Sequence, residues 1–408
     1  GRGWDQEKLR ERRYPERSDI DILANPVFLR RICGHVAVAN SAALSRAGVD
    51  ENTLGPFGGK IEREPSGRPD GILKERALDI VTRAIPKNEG EARRSLLLAA
   101  RKLLEYGVTT LHCIIEDEQE FRILRELKKE GKIEQTIYAI LPLNMLDGTS
   151  SSGTLIGTSV DGFRTGGLKV FLDGSLGART AALGNPYDDE PGSSGLLTTS
   201  KDRLSDLIKK ARELGLQLCL HAIGDKAVEM AVNTLESSIE ARECRTARHR
   251  IEHASLLSPE LIRGMARLGL VGSVQPRFVY SDSWAEKRLG GRIRNLYAFK
   301  SLLRAGVHLA AGSDSPSDEP RAVEGLWSAV ARPGLFADER LTAGEALSCY
   351  TTGAAYASFS EADEGTLEIG KCANVTIFDI DPFECAPEDL RRLRVVQTVV
   401  RGKVFRWN

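Results

Sequence analysis

From residue 91 onward the chain switches repeatedly between two hydrophobic periods. Apolar residues recur every three to four positions in GEARRSLLLAARKLLEYG (90–107), EDEQEFRILRELKKEGK (116–132), KDRLSDLIKKARELG (201–215), DKAVEMAVNTLESSIEAR (225–242), SPELIRGMARLG (258–269) and IRNLYAFKSLLRAG (293–306). That spacing predicts amphipathic helices, several of them closed by glycine. Between them lie short β-rich runs: GVTTLHCII (107–115), IEQTIYAILPL (133–143), GLKVFLDG (167–174), LQLCLHAIG (216–224), HRIEHAS (249–255), LVGSVQP (270–276) and VHLAAGSDS (307–315). Strands alternating with helices at this pitch predict a parallel sheet with crossover helices. Seven strands are counted. An eight-stranded α/β barrel needs one more ahead of residue 107, and residues 1–90 offer no good candidate.

Those first 90 residues are irregular and rich in Arg, Pro and Gly. NPVFLRRICGH reads as a short strand ending at His35. A short helix follows from Asn40 to Gly48, and GPFGGKIEREPSGRPDGIL reads as a hairpin turning at Pro-Ser-Gly-Arg. The segment is expected to be appended to the barrel mouth. At the other end, LTAGEALSCYTTGAAYA predicts a helix with a threonine cap. The last fifty residues predict short strands separated by turns, a β element too small to stand alone. The predicted organisation is therefore an appended segment (1–90), an α/β barrel (91–357) and a small C-terminal β element (358–408).

Composition narrows the function classes. Among 408 residues, Lys plus Arg and Asp plus Glu both number 57, for a net charge of +0. That balance argues against a broad nucleic-acid surface. No apolar run reaches the length of a membrane helix, so no membrane partner is expected. Seven scattered cysteines without a C-x-x-C pair suggest neither a disulfide framework nor a structural zinc knot. A reducing cytoplasm is the expected compartment.

The chemistry collects on strand ends. Alternation places Lys169, Phe171 and Asp173 on one face of their strand and Leu168, Val170 and Leu172 on the other. A lysine in an apolar strand either pairs with a carboxylate such as Asp173 or is held neutral for chemistry. Three more residues with metal-ligand chemistry end later strands: His221 in LQLCLH, His253 in HRIEH and Asp314 in LAAGSD. Each alone admits a structural role. Four in order on successive strand ends, where barrel chemistry gathers, point to a site. A Schiff-base lysine in a metal-free lyase would leave the other three without a shared task. His112, His249 and His308 read as structural.

The motifs GRGWDQ (1–6), VFLRRICGH (27–35), GLKVFLDGSLGARTAAL (167–183), LHAIGDKA (220–227), RHRIEHA (248–254), SVQP (273–276), GSDSP (312–316) and LEIGKCANVTIFDIDP (367–382) resemble the amidohydrolase superfamily, in its family 3 branch. The resemblance spans nearly the whole chain. It implies a distorted TIM-type (β/α)8 barrel, here lacking its first strand, plus a remnant of a small β-sandwich. It implies a metal-dependent hydrolase of a non-peptide amide or cyclic amide C–N bond. The carried-over ligands are Lys169, carbamylated by carbon dioxide and bridging two divalent ions (zinc expected), His221 and His253 on the second ion, and Asp314 on the first ion and as base. His35, Asp173, Arg179 and Gln275 would contact substrate; the alternative for Asp173 and Arg179 is that they bind each other.

The family's first strand supplies an H-x-H pair, and no two of the six histidines here are spaced that way. The expectation is a partial site: one ion, or none with Lys169 paired to Asp314. Activity would then be impaired. The alternative is a non-catalytic binding or regulatory protein on the same scaffold. Unpaired barrel edges would also favour cover by another subunit, a homo-oligomer.

Overall fold

The computed structural model describes residues 1–146 and 159–407. The chain begins with a five-stranded sheet formed by β1 (Arg2–Trp4), β2 (Phe28–Arg31), β3 (Val36–Ala39), β4 (Gly59–Arg63) and β5 (Pro69–Glu75), in the order β1-β2-β3-β5-β4. The appended segment is thus more regular than its composition predicted. Arg30 and Arg31 in β2 and Pro69 in β5 mask these inner strands, while VAVA (36–39) alone is buried throughout. β2 stops at Arg31 rather than reaching His35, which sits in the turn before β3. β4 and β5 form the expected hairpin. Asn40 caps the following helix by accepting from the Ala43 N–H.

The second sheet holds seven parallel strands: β6 (Thr110–Ile114), β7 (Thr136–Pro142), β9 (Phe163–Phe171), β10 (Gln217–Ala222), β11 (Arg250–His253), β12 (Val271–Val274) and β13 (Leu309–Ala311), ordered β13-β12-β11-β10-β9-β7-β6. A two-residue strand, β8 (Ser159–Val160), pairs antiparallel with β9. All seven expected strands form, as a curled half-barrel. In the described residues β6 and β13 each have one neighbour, and no strand from residues 1–75 joins this sheet. The third sheet is antiparallel: β14 (Val375–Phe378), β15 (Val395–Val400) and β16 (Lys403–Arg406). It rests against the helix Glu89–Glu105, with Thr398 Oγ1 donating to the Leu104 carbonyl at 2.7 Å.

The main core lies between the outer face of the parallel sheet and its helices. Leu168, Val170, Leu218, Leu220 and Ile251 meet Leu204, Leu207, Val228 and Leu235 there. Two predicted helices break. Residues 225–242 split at Ile239, whose extended backbone ends the first helix at Ser238. IRNLYAFKSLLRAG becomes a 3-10 turn (Gly290–Asn295) and a short helix (Phe299–Arg304), separated by Tyr297 at φ 55°. No helix among the described residues is long and apolar enough to cross a membrane.

Two histidines expected to be structural set an acid limit. His112 on β6 is pushed down to about 3 by burial and then by the Arg250 guanidinium. His249 is pushed down to about 4 by burial, and its Nδ1 accepts from the Leu218 N–H at 3.0 Å. Below pH ~6.5 the unfolded chain binds protons that these folded groups refuse. Their stabilisation is therefore complete above that pH and falls by about 1.4 kcal/mol per group per pH unit below it. Urea unfolding at pH 7, 6 and 5 is expected to show midpoints that drop with acidity. A flat profile across that window contradicts the assignment.

Candidate active site

The concave face of the half-barrel carries the polar side chains. On β9, period two turns Lys169 and Phe171 inward while Leu168 and Val170 enter the core. Lys169 is only 4% exposed, and its Nζ lies 4.8 Å from the centroid of the Phe171 ring. Among the described residues no carboxylate forms an ion pair with it. The expected pairings with Asp173 and with Asp314 are not formed. The nearby negative charge is Glu252 on β11, held by Arg250 at 2.7 Å. Burial pushes Glu252 up, but Arg250 and then Lys169 outweigh it and bring it to about 2. Arg250 also reaches His112 at 3.1 Å and Ser273 at 2.8 Å.

His221 and His253 end adjacent strands, with Ala222 opposite His253 in the register. Strict alternation would send His253 outward with Ile251. Its left-handed backbone, φ 75°, turns it back toward His221 instead. His253 Nε2 and His221 Nδ1 are 3.0 Å apart.

The outer nitrogens fix the proton positions. His221 Nε2 lies 2.9 Å from the Gly174 carbonyl, which can only accept, so Nε2 carries the proton. His253 Nδ1 lies 2.8 Å from Gln275 Oε1, and the Gln275 amide is oriented by donating its own N–H to the Ser273 carbonyl at 3.2 Å. Nδ1 of His253 is therefore the donor. Two bare ring nitrogens face each other. Burial holds both rings neutral: His221 is lowered well below its ordinary value by burial, then by His253, His35 and Lys169. His253 is lowered by burial although the Asp314 charge pulls the other way. Opposed lone pairs at this distance suit a cation lying to one side of them, and outer-nitrogen bonds of this kind orient metal-ligating histidines.

Two further groups approach from outside the barrel strands. His35 hydrogen-bonds through Nδ1 to Glu75 Oε2 at 2.7 Å, with its ring 5.0 Å from that of His221. Burial pushes His35 down, but Glu75 outweighs it and raises it to about 9. Asp314 follows β13, partly open to solvent, and its charge acts on His253, His35 and Arg2. Glu75 and Asp314 share the left-handed backbone of His253, at φ 51° and 54°. Strained positions of this kind cluster at functional sites.

The remaining expected substrate contacts are engaged within the protein. Asp173 is fully buried and accepts from the backbone N–H groups of Ala182, Ile223 and Gly224 at 2.9, 3.1 and 2.8 Å. Burial pushes it up to about 7 against the pull of those donors. Arg179 does not bind Asp173. It forms a two-pronged pair with Asp189 at 3.0 and 2.8 Å, because the loop after Gly174 carries it away from the barrel axis. Gln275 spends its carbonyl on His253. The sequence reading missed Glu75, Arg250 and Glu252. Arg250 and Glu252, two apart in HRIEH, were visible as a charged pair on one face of an otherwise apolar strand. Glu75 carried no such signal. Among the described residues no three side chains of the His, Cys, Asp and Glu types form a metal-holding group. The candidate donor set is thus two imidazoles with Lys169 and Asp314 nearby.

Comparison with known proteins agrees with this frame. A profile described as "Amidohydrolase family" matches residues 1–406. The chain is 33% identical to a putative amidohydrolase, YtcJ, of Bacillus subtilis, over 99% of this chain and 79% of that protein. It is 30% identical to an N-substituted formamide deformylase of Arthrobacter pascens, over 97% of this chain and 76% of that one. Its fold superposes on the crystal structure of an uncharacterized metal-dependent hydrolase from Pyrococcus horikoshii with a TM-score of 0.77 and 34% identity, covering 95% of this chain and 78% of the other. With residues 1–406 matched and its curled parallel sheet shared, this chain belongs to the amidohydrolase family.

Proposed function

We propose that the protein hydrolyses a non-peptide C–N bond, in a small amide or cyclic amide, with water activated at a divalent metal, zinc being the expected ion. The observation that carries this reading is the pair of bare imidazole nitrogens, His221 Nδ1 and His253 Nε2, 3.0 Å apart with their other nitrogens tied back to Gly174 and Gln275. These two side chains would hold the ion. Lys169, buried and without an ion-pair partner among the described residues, would add a carbamate oxygen after reacting with carbon dioxide. When bound, a divalent ion supplies Lewis acidity and lowers the pKa of water.

The chain's own residues do the rest. Asp314, partly open to solvent beside the histidines, takes the proton of the attacking water. His35, kept charged by Glu75, donates a hydrogen bond to the substrate's oxygen or departing nitrogen. The relative whose name specifies an N-substituted formamide supports an amide substrate. The test is reconstitution with zinc and bicarbonate, followed by metal analysis and a screen of N-substituted formamides and cyclic amides. We expect bound zinc and amide turnover. A chain that retains no metal overturns the reading.

Gln275→Leu removes the acceptor that fixes the His253 tautomer. It is expected to lower zinc affinity roughly 10–100-fold, the usual effect of losing such a partner. Competition with a chelating dye measures it.

A further inference from the structure

A cavity of about 410 Å³ opens where the appended segment meets the loop after β9, lined by Gln6, Arg12, Arg13, Tyr14, Arg179 and Lys287, with Glu7 as its one carboxylate. Four cations around a single acid is unlike the balanced composition of the whole chain. Glu7 is already engaged by Arg288 at 2.9 Å. Arg13 and Arg179 are each clamped by a two-pronged carboxylate, Asp19 at 2.7 and 2.8 Å and Asp189 at 3.0 and 2.8 Å. A guanidinium held this way keeps further N–H donors and loses little freedom when it binds a second anion. Arg12 is steadied by the Glu7 backbone carbonyl, and neither Arg12 nor Lys287 forms a close ion pair among the described residues, although the Lys287 charge acts on Glu7. Tyr14 adds an aromatic wall, fixed edge-on against Trp4 at 5.7 Å. The volume falls in the range of organic-ligand pockets, about 300–1,000 Å³, and exceeds what a bare ion needs.

We propose that this cavity binds an organic anion, a carboxylate or phosphate carried on a small ring or chain. Arg12 and Lys287 supply charge not tied up in a close ion pair, Arg13 and Arg179 the preorganised donors, and Tyr14 the contact for the organic body. The site is separate from the histidine pair, and its test does not depend on metal or turnover.

Phenyl phosphate, with inorganic phosphate and phenol as partial probes, can be titrated into the protein at low ionic strength by calorimetry. The expected result is saturable one-site binding of phenyl phosphate, at least tenfold tighter than either partial probe. The Arg12→Ser/Lys287→Ser variant is expected to lose at least tenfold in affinity while keeping its circular dichroism spectrum. A control with the same charge change elsewhere, Lys209→Ser/Arg392→Ser, is expected to bind normally. Non-saturable binding, equal binding by the cavity variant, or equal loss in the control each overturns the proposal. If the cavity variant fails to fold, Lys287→Gln alone decides: an unchanged affinity overturns the proposal and a severalfold loss supports it.

Discussion

Replacing His221 with alanine is expected to reduce the chain's zinc affinity by at least about a hundredfold, beyond the loss typical of an outer partner. The expectation follows from proton positions. His221 donates through Nε2 to the Gly174 carbonyl, so its Nδ1 is committed as an electron-pair donor, and it points at another bare nitrogen on His253. Alanine removes one of two convergent imidazoles and leaves His253 alone with a lysine and an aspartate nearby. His112→Ala is the informative control. That ring also lies on the concave face, half-buried, where it contacts Arg250 and Tyr138. Its removal is expected to leave zinc affinity within about twofold while lowering stability by about 1 kcal/mol, the typical effect of a single substitution. A chelator competition at pH 7.5 separates the two variants. Equal affinities for His221→Ala and the unmodified chain place the metal elsewhere.

Much of this arrangement was legible because strands and helices announce themselves by period. The seven parallel strands lay where the β-rich runs stood, and Lys169 was picked out because an amine contradicts its apolar strand. What alternation could not show was direction at strand ends. His253 shares the parity of Ile251 and should face the outer core. Only its positive φ brings it to His221, and such a backbone is not encoded by hydrophobic pattern. The same holds for Asp314 and Glu75. Arg179 pairs elsewhere than alternation suggested for a related reason: β9 ends at Phe171, and the loop beyond it obeys no period. The appended sheet was underread because its strands are short and two of the four residues of β2, Arg30 and Arg31, are charged. Glu75 was invisible because its partner, His35, is 40 residues away and joined to it only by the β3–β5 pairing.

Gly224→Ala is expected to destabilise the fold by about 3 kcal/mol or more, at the upper end of overpacking costs. A Cβ at this position would stand 1.9 Å from the Ala182 carbonyl oxygen, 2.5 Å from its carbon and 2.8 Å from its nitrogen. All three are backbone atoms, so no side-chain rotation relieves the contact. The segment cannot move alone, because the Gly224 N–H donates to Asp173 at 2.8 Å and the same carboxylate holds the Ala182 N–H at 2.9 Å. Pushing residues 182 and 224 apart therefore strips donors from a fully buried carboxylate, and an acceptor left short of donors in the interior adds about 1–3 kcal/mol. The disturbance has a chemical reach as well. Asp173 precedes Gly174, whose carbonyl fixes the His221 tautomer, so the variant is expected to bind zinc more weakly in proportion to its loss of order around residue 174. Denaturant unfolding followed by far-UV circular dichroism reads the first effect and chelator competition the second. A variant as stable as the parent would mean that the 182 and 224 backbones do not meet as described.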